Sequence, residues 1–299
     1  MLHIPVLMKE VLAGLNIQPN DTVLDCTING AGHSSEIVKL LVKDGTLVGL
    51  DADANALQVA KGRLSEAISK VELRQTNFRN LSTVLEELKI ETVDKVLFDF
   101  GLSSNQLADS GRGFSFEKDE PLLMTFQESP TRDDLTAEVF VNDSSEEAIA
   151  DIIFAYGGER YARRIARAIV EARANTTIKT TSELSAIIVR ALPKFYAKGR
   201  IHPATKTFQA LRMAVNDELG AIKTGLAHAF EKLKPNGRIA AISFHSLEDK
   251  IVKDFFRTKK DEGVAELLTK KPIIAGEEEV KANPRSRSAK LRILIKNLK

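Results

Sequence analysis

Apolar residues recur at helical spacing over 6–15, through Val6, Leu7, Val11, Leu12 and Leu15. This predicts a first helix, closed by the turn Pro19-Asn20-Asp21. A short apolar run at 22–26 reads as a buried strand, and the glycine-bearing stretch after it leads into a helix over 33–42. The alternation then repeats: strand 46–51 and helix 53–68, half-buried strand 71–75 and helix 81–88, then strand 93–99. Strands alternating with crossovers of this length imply a parallel, doubly wound α/β sheet, whose ligands bind at the carboxyl ends of the strands. Asp25, Asp51, Phe78 and Asp99 fall at those ends.

The texture changes after strand 93–99. Residues 105–135 are polar, carry Gly111, Gly113, Pro121 and Pro130, and show no period. They read as a long ordered loop. From 142 to about 220 the pattern is helical throughout, and the pairs Ser144/Glu147 and Thr180/Glu183 have the spacing of capping boxes. This predicts an inserted all-helical domain. The sheet resumes after a turn at 233–237 with a strong strand at 238–244, a helix at 246–257 and a final alternating strand at 290–296. Glu277-Glu278-Glu279 between them reads as a mobile loop.

Composition narrows the class. The chain has 299 residues, 43% hydrophobic and 28% charged, enough to bury a sizeable core. Lys+Arg 43 against Asp+Glu 41 is nearly balanced, so a nucleic-acid site must be a local patch. The lone Cys26 excludes an internal disulfide framework and a multi-cysteine zinc site, suits a reducing cytoplasm, and sits inside a strand as a small core residue. No apolar run approaches the ~18 residues that span a bilayer, and the first ten residues lack the pattern of a secretory signal. His33, His202 and His245 have no metal-ligand spacing, so no metal is inferred.

The candidate chemistry lies at the strand ends. Small residues in the turn Thr27–Ser34 allow close backbone approach to a ligand, with a helix start facing it. Asp51, about twenty residues on, can accept the two hydroxyls of a ribose, as in nicotinamide or S-adenosylmethionine sites. Gly30-x-Gly32-x-x-Ser35 lacks the third glycine of the dinucleotide fingerprint, which weakens the nicotinamide reading without removing it. Asp53 reads as a helix cap, and Phe78 as either core or a platform for adenine. Asp99, Ser103, Ser104, Asn105 and Gln106 gather polar groups after a buried strand, as a site does. Arg160, Arg163, Arg164 and Arg167 form one basic stripe, opposite Tyr161, Ile165 and Ile169. Lys194, Lys198, Arg200, His202 and Lys206 form a second, and Arg285, Arg287, Lys290 and Arg292 a third. Three such clusters in a nearly neutral chain suggest a phosphate-binding surface.

Several long blocks together carry a resemblance. They are His3-x-Pro5-Val6-Leu7, Thr27-x-x-x-x-Gly32-His33-Ser34, the run Leu97–Ser104 with Gln106-Leu107, and Arg112–Phe116. Further along come Tyr156-Gly157-x-Glu159-Arg160, His202–Thr205 with Thr207–Arg212, Val215-Asn216-x-Glu218-Leu219, Ser243–Asp249 and Asn283–Ser288. The chain resembles the ribosomal RNA small-subunit methyltransferase H family almost end to end. The resemblance implies a Rossmann-like class I methyltransferase domain over 1–107 and 208–299, interrupted by a helical substrate domain over 108–207. It implies S-adenosylmethionine as cofactor, with contacts at Ala31, Gly32, His33, Asp51, Phe78, Asp99 and Gln106. It implies methylation of the exocyclic N4 of a cytosine in the decoding centre of bacterial 16S rRNA, within the small ribosomal subunit. Asp99, Ser103 and Ser104 are candidates for the polar environment of the reacting nitrogen, with no general base assigned. Arg112, Arg160, Arg163, Arg164, Arg167, Lys206, Arg285 and Arg287 are candidate RNA contacts. Rival functions are an RNA-binding assembly factor with a decayed pocket and a nicotinamide-dependent oxidoreductase.

The chain departs from the family's pattern in two places. Asn29 and Ala31 stand where the family has glycine; alanine there costs about 1 kcal/mol if the backbone needs positive φ. Leu122-Leu123-Met124-Thr125-Phe126 replaces the family's charged positions after Pro121.

Overall fold

The structure is a computed structural model that describes residues 5–101, 110–127, 129–131, 134–198 and 201–298. Strands β1 (Thr22–Asp25), β2 (Thr46–Asp51), β3 (Lys70–Gln75), β4 (Val93–Asp99) and β5 (Leu233–Ser243) pair in parallel in the order β3-β2-β1-β4-β5. Strand β8 (Lys290–Lys296) adds antiparallel to β5, and the short strands β6 (Ala265–Leu267) and β7 (Ile273–Ile274) pair antiparallel with β8. The apolar runs are nearly continuous because the sheet is covered on both faces. Leu24, Val48, Leu50, Val96, Phe98, Ile239 and Ala241 point into one core. Their sequence neighbours Val23, Leu47, Leu97, Ala240 and Ile242 point into the other. The first core is closed by α4 (Leu81–Glu87), α10 (Glu218–Lys232) and α11 (Ser246–Asp261). The second is closed by α1 (Met8–Leu15), α2 (Gly32–Ile37) and α3 (Ala54–Arg63). The strand order reverses direction between β1 and β4, and a doubly wound sheet opens its ligand crevice at that point. This is a Rossmann-like, doubly wound α/β fold.

Cα packing divides the chain into two compact units, Met1–Gly101 with Leu219–Lys299, and Leu102–Glu218. The second is built on α5 (Ala137–Asp143), α6 (Glu146–Gly157), α7 (Ala162–Arg173), α8 (Thr181–Ala191) and α9 (Thr205–Val215). Its core is Ile149, Ile153, Ile165, Ile169, Leu184, Ile188 and their neighbours. The resemblance ends the insertion at 207; the unit runs on to Glu218 because Phe208 and Leu211 of α9 face that same core. Leu122 and Met124 are buried there too, which accounts for an apolar stretch after Pro121.

Local expectations need four corrections; the turn expected at 233–237 is already strand, since β5 begins at Leu233 and pairs there with Val93. The cap of α6 is Ser145, whose hydroxyl accepts the Ala148 amide, whereas Ser144 closes α5. The Thr180/Glu183 capping box is present as expected. Glu277–Ala282 is a helical turn, α12, and its Glu279 accepts the Leu7 amide at 2.7 Å, so it is no free loop. Helix α2 stops at Ile37 rather than 42, where residues 38–45 fold into turns that lead back to the start of β2. No helix among the described residues is long and apolar enough to cross a membrane, and no His/Cys/Asp/Glu group among them could hold a metal ion.

Candidate active site at the strand ends

Three strand ends are stitched together by the turn after β1. Asp25 is buried; its Oδ1 accepts the Thr27 amide at 3.2 Å and its Oδ2 the Ser34 hydroxyl at 2.5 Å. Thr27 Oγ1 accepts the amide of Asp99, at the end of β4, at 2.6 Å. Asn29 donates its amide to Asp51 Oδ2, at the end of β2, at 2.9 Å. To follow this path the backbone takes positive φ at three successive residues: Asn29 at 48°, Gly30 at 85° and Ala31 at 64°. Asparagine and glycine tolerate that region, but alanine does so at a cost of roughly 1–2 kcal/mol. The turn therefore keeps a shape suited to glycine without the glycines.

Asp51 is held by two backbone amides. Asp53 donates its amide to Oδ1 and Asn29 to Oδ2, each at 2.9 Å, so each oxygen keeps a lone pair for a further donor. Burial raises its pKa to about 6, against those amides. Asp53 caps α3 through the Asn55 amide, as expected. Asp99 differs: its Oδ1 is buried and has no hydrogen-bond partner among the described residues. Burial, then the nearby charge of Glu248, raises its pKa to about 7. An unpartnered buried carboxylate oxygen is expensive, and such groups cluster at functional sites.

His33 lies beside Asp99, with Nδ1 3.6 Å from Asp99 Oδ2. Phe78 opens a 3₁₀ turn after β3 and is half-buried in an aromatic cluster with Phe98 and Phe100, ring centroids 5.6 and 5.9 Å away. Gly225 of α10 lies against this ring: a Cβ there would stand 2.6 Å from Phe78 Cδ2. Ala31 is fully buried at the head of α2, and Gly32 follows it. Cys26 is buried and its thiol is pushed well up by burial and by Asp25, as suits a core residue. Ser103, Ser104, Gln106 and the neighbouring Asn105 lie outside the described residues.

Two contributors lie within the blocks of the resemblance but are not singled out there as site residues. Glu248 is buried and accepts the amides of Phe244 and His245 at 2.8 and 3.2 Å, which fixes the turn from β5 into α11 beside Asp99. The block Ser243–Asp249 contains it, but only pairing of β4 with β5 reveals that it faces Asp99. The other is the Val6–Leu7 backbone, which His33 and Glu279 hold from distant parts of the chain.

The basic candidates divide by their surroundings. On α7, Arg163, Arg164 and Arg167 are exposed; Arg167 stands 3.6 Å from Glu146. Arg164, Arg167 and Arg190, with Glu171, line an open cavity of about 630 Å³ along α7 and α8. Arg190 belongs to no stripe that the sequence singles out. Arg160 precedes α7 and lies over the rings of Tyr161 and Tyr196, at 4.9 and 5.8 Å. Lys206 donates to the Gly158 carbonyl at 3.2 Å, beside the buried Glu159. Arg112 requires a correction: it is buried, donates to the Phe126 carbonyl at 2.7 Å and lies over Phe114. A guanidinium so enclosed braces its loop and is not presented to a phosphate. In the other unit Arg285 and Arg287 are exposed, while Lys290 and Arg292 pair with Asp249 at 3.2 and 2.7 Å.

A family model described as the MraW methylase family matches residues 1–297. The chain is 46% identical to a ribosomal RNA small subunit methyltransferase H from Symbiobacterium thermophilum, covering 98% of this chain and 96% of that one. It is 48% identical to the protein of that name from Koribacter versatilis, covering 97% and 92%. A solved rRNA methylase from Streptococcus thermophilus aligns over 100% of this chain and 99% of its own at 11% identity, with a TM-score of 0.46. With the family model matching residues 1–297 and relatives of this identity covering nearly the whole chain, the chain belongs to the MraW methylase family.

Proposed function

We propose that this chain transfers a methyl group from S-adenosylmethionine to the exocyclic N4 of a cytosine in the decoding centre of 16S rRNA, within the small ribosomal subunit. Membership of a methylase family supports methyl transfer with S-adenosylmethionine as donor, and the names of the relatives support ribosomal RNA as the acceptor. The observation that carries the reading is Asp99 Oδ1, buried where the sheet opens with no partner among the described residues. The residues fit the cofactor. Asp51 keeps a lone pair on each oxygen for two ribose hydroxyls, Phe78 offers a half-buried ring to adenine, and the left-handed turn at 29–31 clears room along the backbone. Ala31, Gly32, His33 and Gln106 complete the proposed contact set.

When bound, the sulfonium supplies an electrophilic methyl carbon. The chain's own task is geometric: donor and acceptor must be held in line, and positioning can supply much of the acceleration. The N4 lone pair is conjugated with the cytosine ring, so a group accepting an N–H bond and turning that lone pair outward helps. Asp99 Oδ1 is suited to this, with Ser103 and Ser104 as further candidates. The base must leave its stack to enter such a site, which favours single-stranded or loop RNA. Arg160, Arg163, Arg164, Arg167, Lys206, Arg285 and Arg287 are proposed to meet the phosphates.

The departure at Asn29 and Ala31 motivates the rival reading of an assembly factor with a decayed pocket. Against it, the turn holds positive φ at all three residues despite the strain, so its shape persists. The test is transfer of labelled methyl from S-adenosylmethionine to small-subunit RNA or particles. Transfer is expected with the intact protein and not with Asp99→Ala. Binding of S-adenosylhomocysteine and of RNA with no transfer to either substrate would favour the assembly factor.

A further inference from the structure

Helix α7 sets Arg164, Arg167, Ala168 and Glu171 three and four residues apart, so they share one face, and α8 does the same with Ile187 and Arg190. The two faces enclose the open cavity of about 630 Å³, a size that suits a small ligand. Ala168 and Ile187 are partly buried against the core of the helical unit and give the cavity an apolar floor. The four charged residues around it are exposed. Arg167 stands 3.6 Å from Glu146, while among the described residues Arg164, Arg190 and the Glu171 carboxylate have no partner. Three arginines against one glutamate, over a low-dielectric wall, focus a positive field into the cleft. We propose that this cleft binds one unpaired nucleotide of the acceptor RNA. Arg164 and Arg190 hold its phosphate, its base lies on Ala168 and Ile187, and Glu171 accepts a hydrogen bond from the amino group of the base. The proposal rests on RNA being the acceptor, and none of its residues belongs to the strand-end site.

Each part of a nucleotide answers a part of the cleft. A guanidinium offers a planar fork of N–H donors that meets two phosphate oxygens at once, and here the forks come from two helices. A bare anion would leave the apolar floor in water and bring nothing to donate to Glu171. A nucleobase covers the floor and supplies the donor. A duplex turns its base faces inward, so only an unstacked base can lie there. An acidic peptide would bring carboxylates, which Glu171 repels, and no flat apolar plane. Glu171 also sorts the bases. A carboxylate only accepts; adenine, cytosine and guanine each present an amino group, whereas the one base N–H of uracil stands between two carbonyl oxygens that the carboxylate repels. The cleft therefore favours bases with an amino group over uracil. It gives the helical unit a sequence preference beyond the phosphate attraction that any RNA satisfies.

Fluorescence anisotropy on the full-length protein, with short labelled single strands of adenylate, cytidylate and uridylate, tests this. The first two should bind severalfold more tightly than uridylate. Arg190→Ala should weaken all three and lower the slope of log affinity against log salt by about 0.7, one phosphate contact on a single strand. Ala168→Phe fills the cleft without touching a charge. It should weaken adenylate and cytidylate severalfold, erase their advantage over uridylate and leave the salt slope unchanged. Glu171→Gln, whose amide can also donate to uracil, should narrow the same advantage. Thermal melts check the fold of each variant, and the exposed positions Arg190 and Glu171 keep the test decisive should Ala168→Phe not fold. Equal binding of the three strands by the intact protein, or a folded Ala168→Phe with unchanged affinity and preference, would overturn the nucleotide site and leave a plain basic face. Displacement by an oligoglutamate of equal charge as readily as by unlabelled strand would overturn it in favour of an acidic protein partner. Methyl transfer to small-subunit particles by the intact protein, measured alongside, keeps the two readings apart. Transfer together with any of those contrary results defeats the cleft alone, whereas the expected binding with no transfer defeats the methyl-transfer reading alone.

Discussion

At the scale of single residues, two positions carry cost in the folded state. Ala31 holds a φ of 64° with no solvent exposure and no side-chain cap. Ala31→Gly should raise unfolding free energy by about 1 kcal/mol, net of the extra freedom glycine gains when unfolded, which denaturant unfolding measures. Asp99 holds its proton more tightly folded than unfolded, about 7 against the ordinary carboxylate value near 4. Unfolding between those values therefore releases a proton, so stability falls as pH rises through that window and is largest below it. Asp51, raised to about 6, acts in the same direction. Thermal melts of the free protein from pH 8 down to 5 should show rising melting temperatures, and Asp99→Asn should flatten most of that rise. The place of Asp51 at the end of β2 and the cap at Asp53 were legible from chain order alone, because a parallel strand must end where the next crossover begins. The enclosure of Arg112 was not, since a basic residue in a polar loop looks the same whether it faces water or Phe126.

At the scale of elements, the parallel strands were readable because burial on both faces leaves unbroken apolar runs, as at Val96-Leu97-Phe98. The short strands β6 and β7 were missed, since three and two residues carry no period. The start of α6 was misplaced by one residue because Ser144 and Ser145 are both capable caps, and only tertiary packing chooses between them. Phe78 shows how elements share a residue: it packs as core on Phe98 and Phe100 yet stays half-exposed at the strand ends. Its seat depends on Gly225 in the middle of α10. Gly225→Ala favours the helix by about 1 kcal/mol of propensity but drives a methyl into the ring. The expected outcome is a folded protein whose affinity for S-adenosylhomocysteine drops severalfold, measured by calorimetry beside a thermal melt.

At the scale of the whole molecule, a net charge of +2 hides a strong local imbalance. The cations that remain exposed on α7, with Arg190 beside them, stand around an open groove, whereas Lys290 and Arg292 are held by Asp249. Charge reversal of Arg163, Arg164 and Arg167 to Glu should weaken RNA binding at low salt and reduce the slope of log affinity against log salt by about 1 for each phosphate no longer neutralised. Affinity for S-adenosylhomocysteine should be unchanged; filter binding and calorimetry on the same preparation separate the two. The measurement that bears most directly on the assignment is nucleoside mapping of 16S rRNA by mass spectrometry, from cells with and without this protein. One N4-methylated cytosine in the decoding centre is expected to lose its methyl group when the protein is removed and to regain it when the intact chain is restored. An unchanged modification at that nucleotide in cells lacking the protein would contradict the assignment.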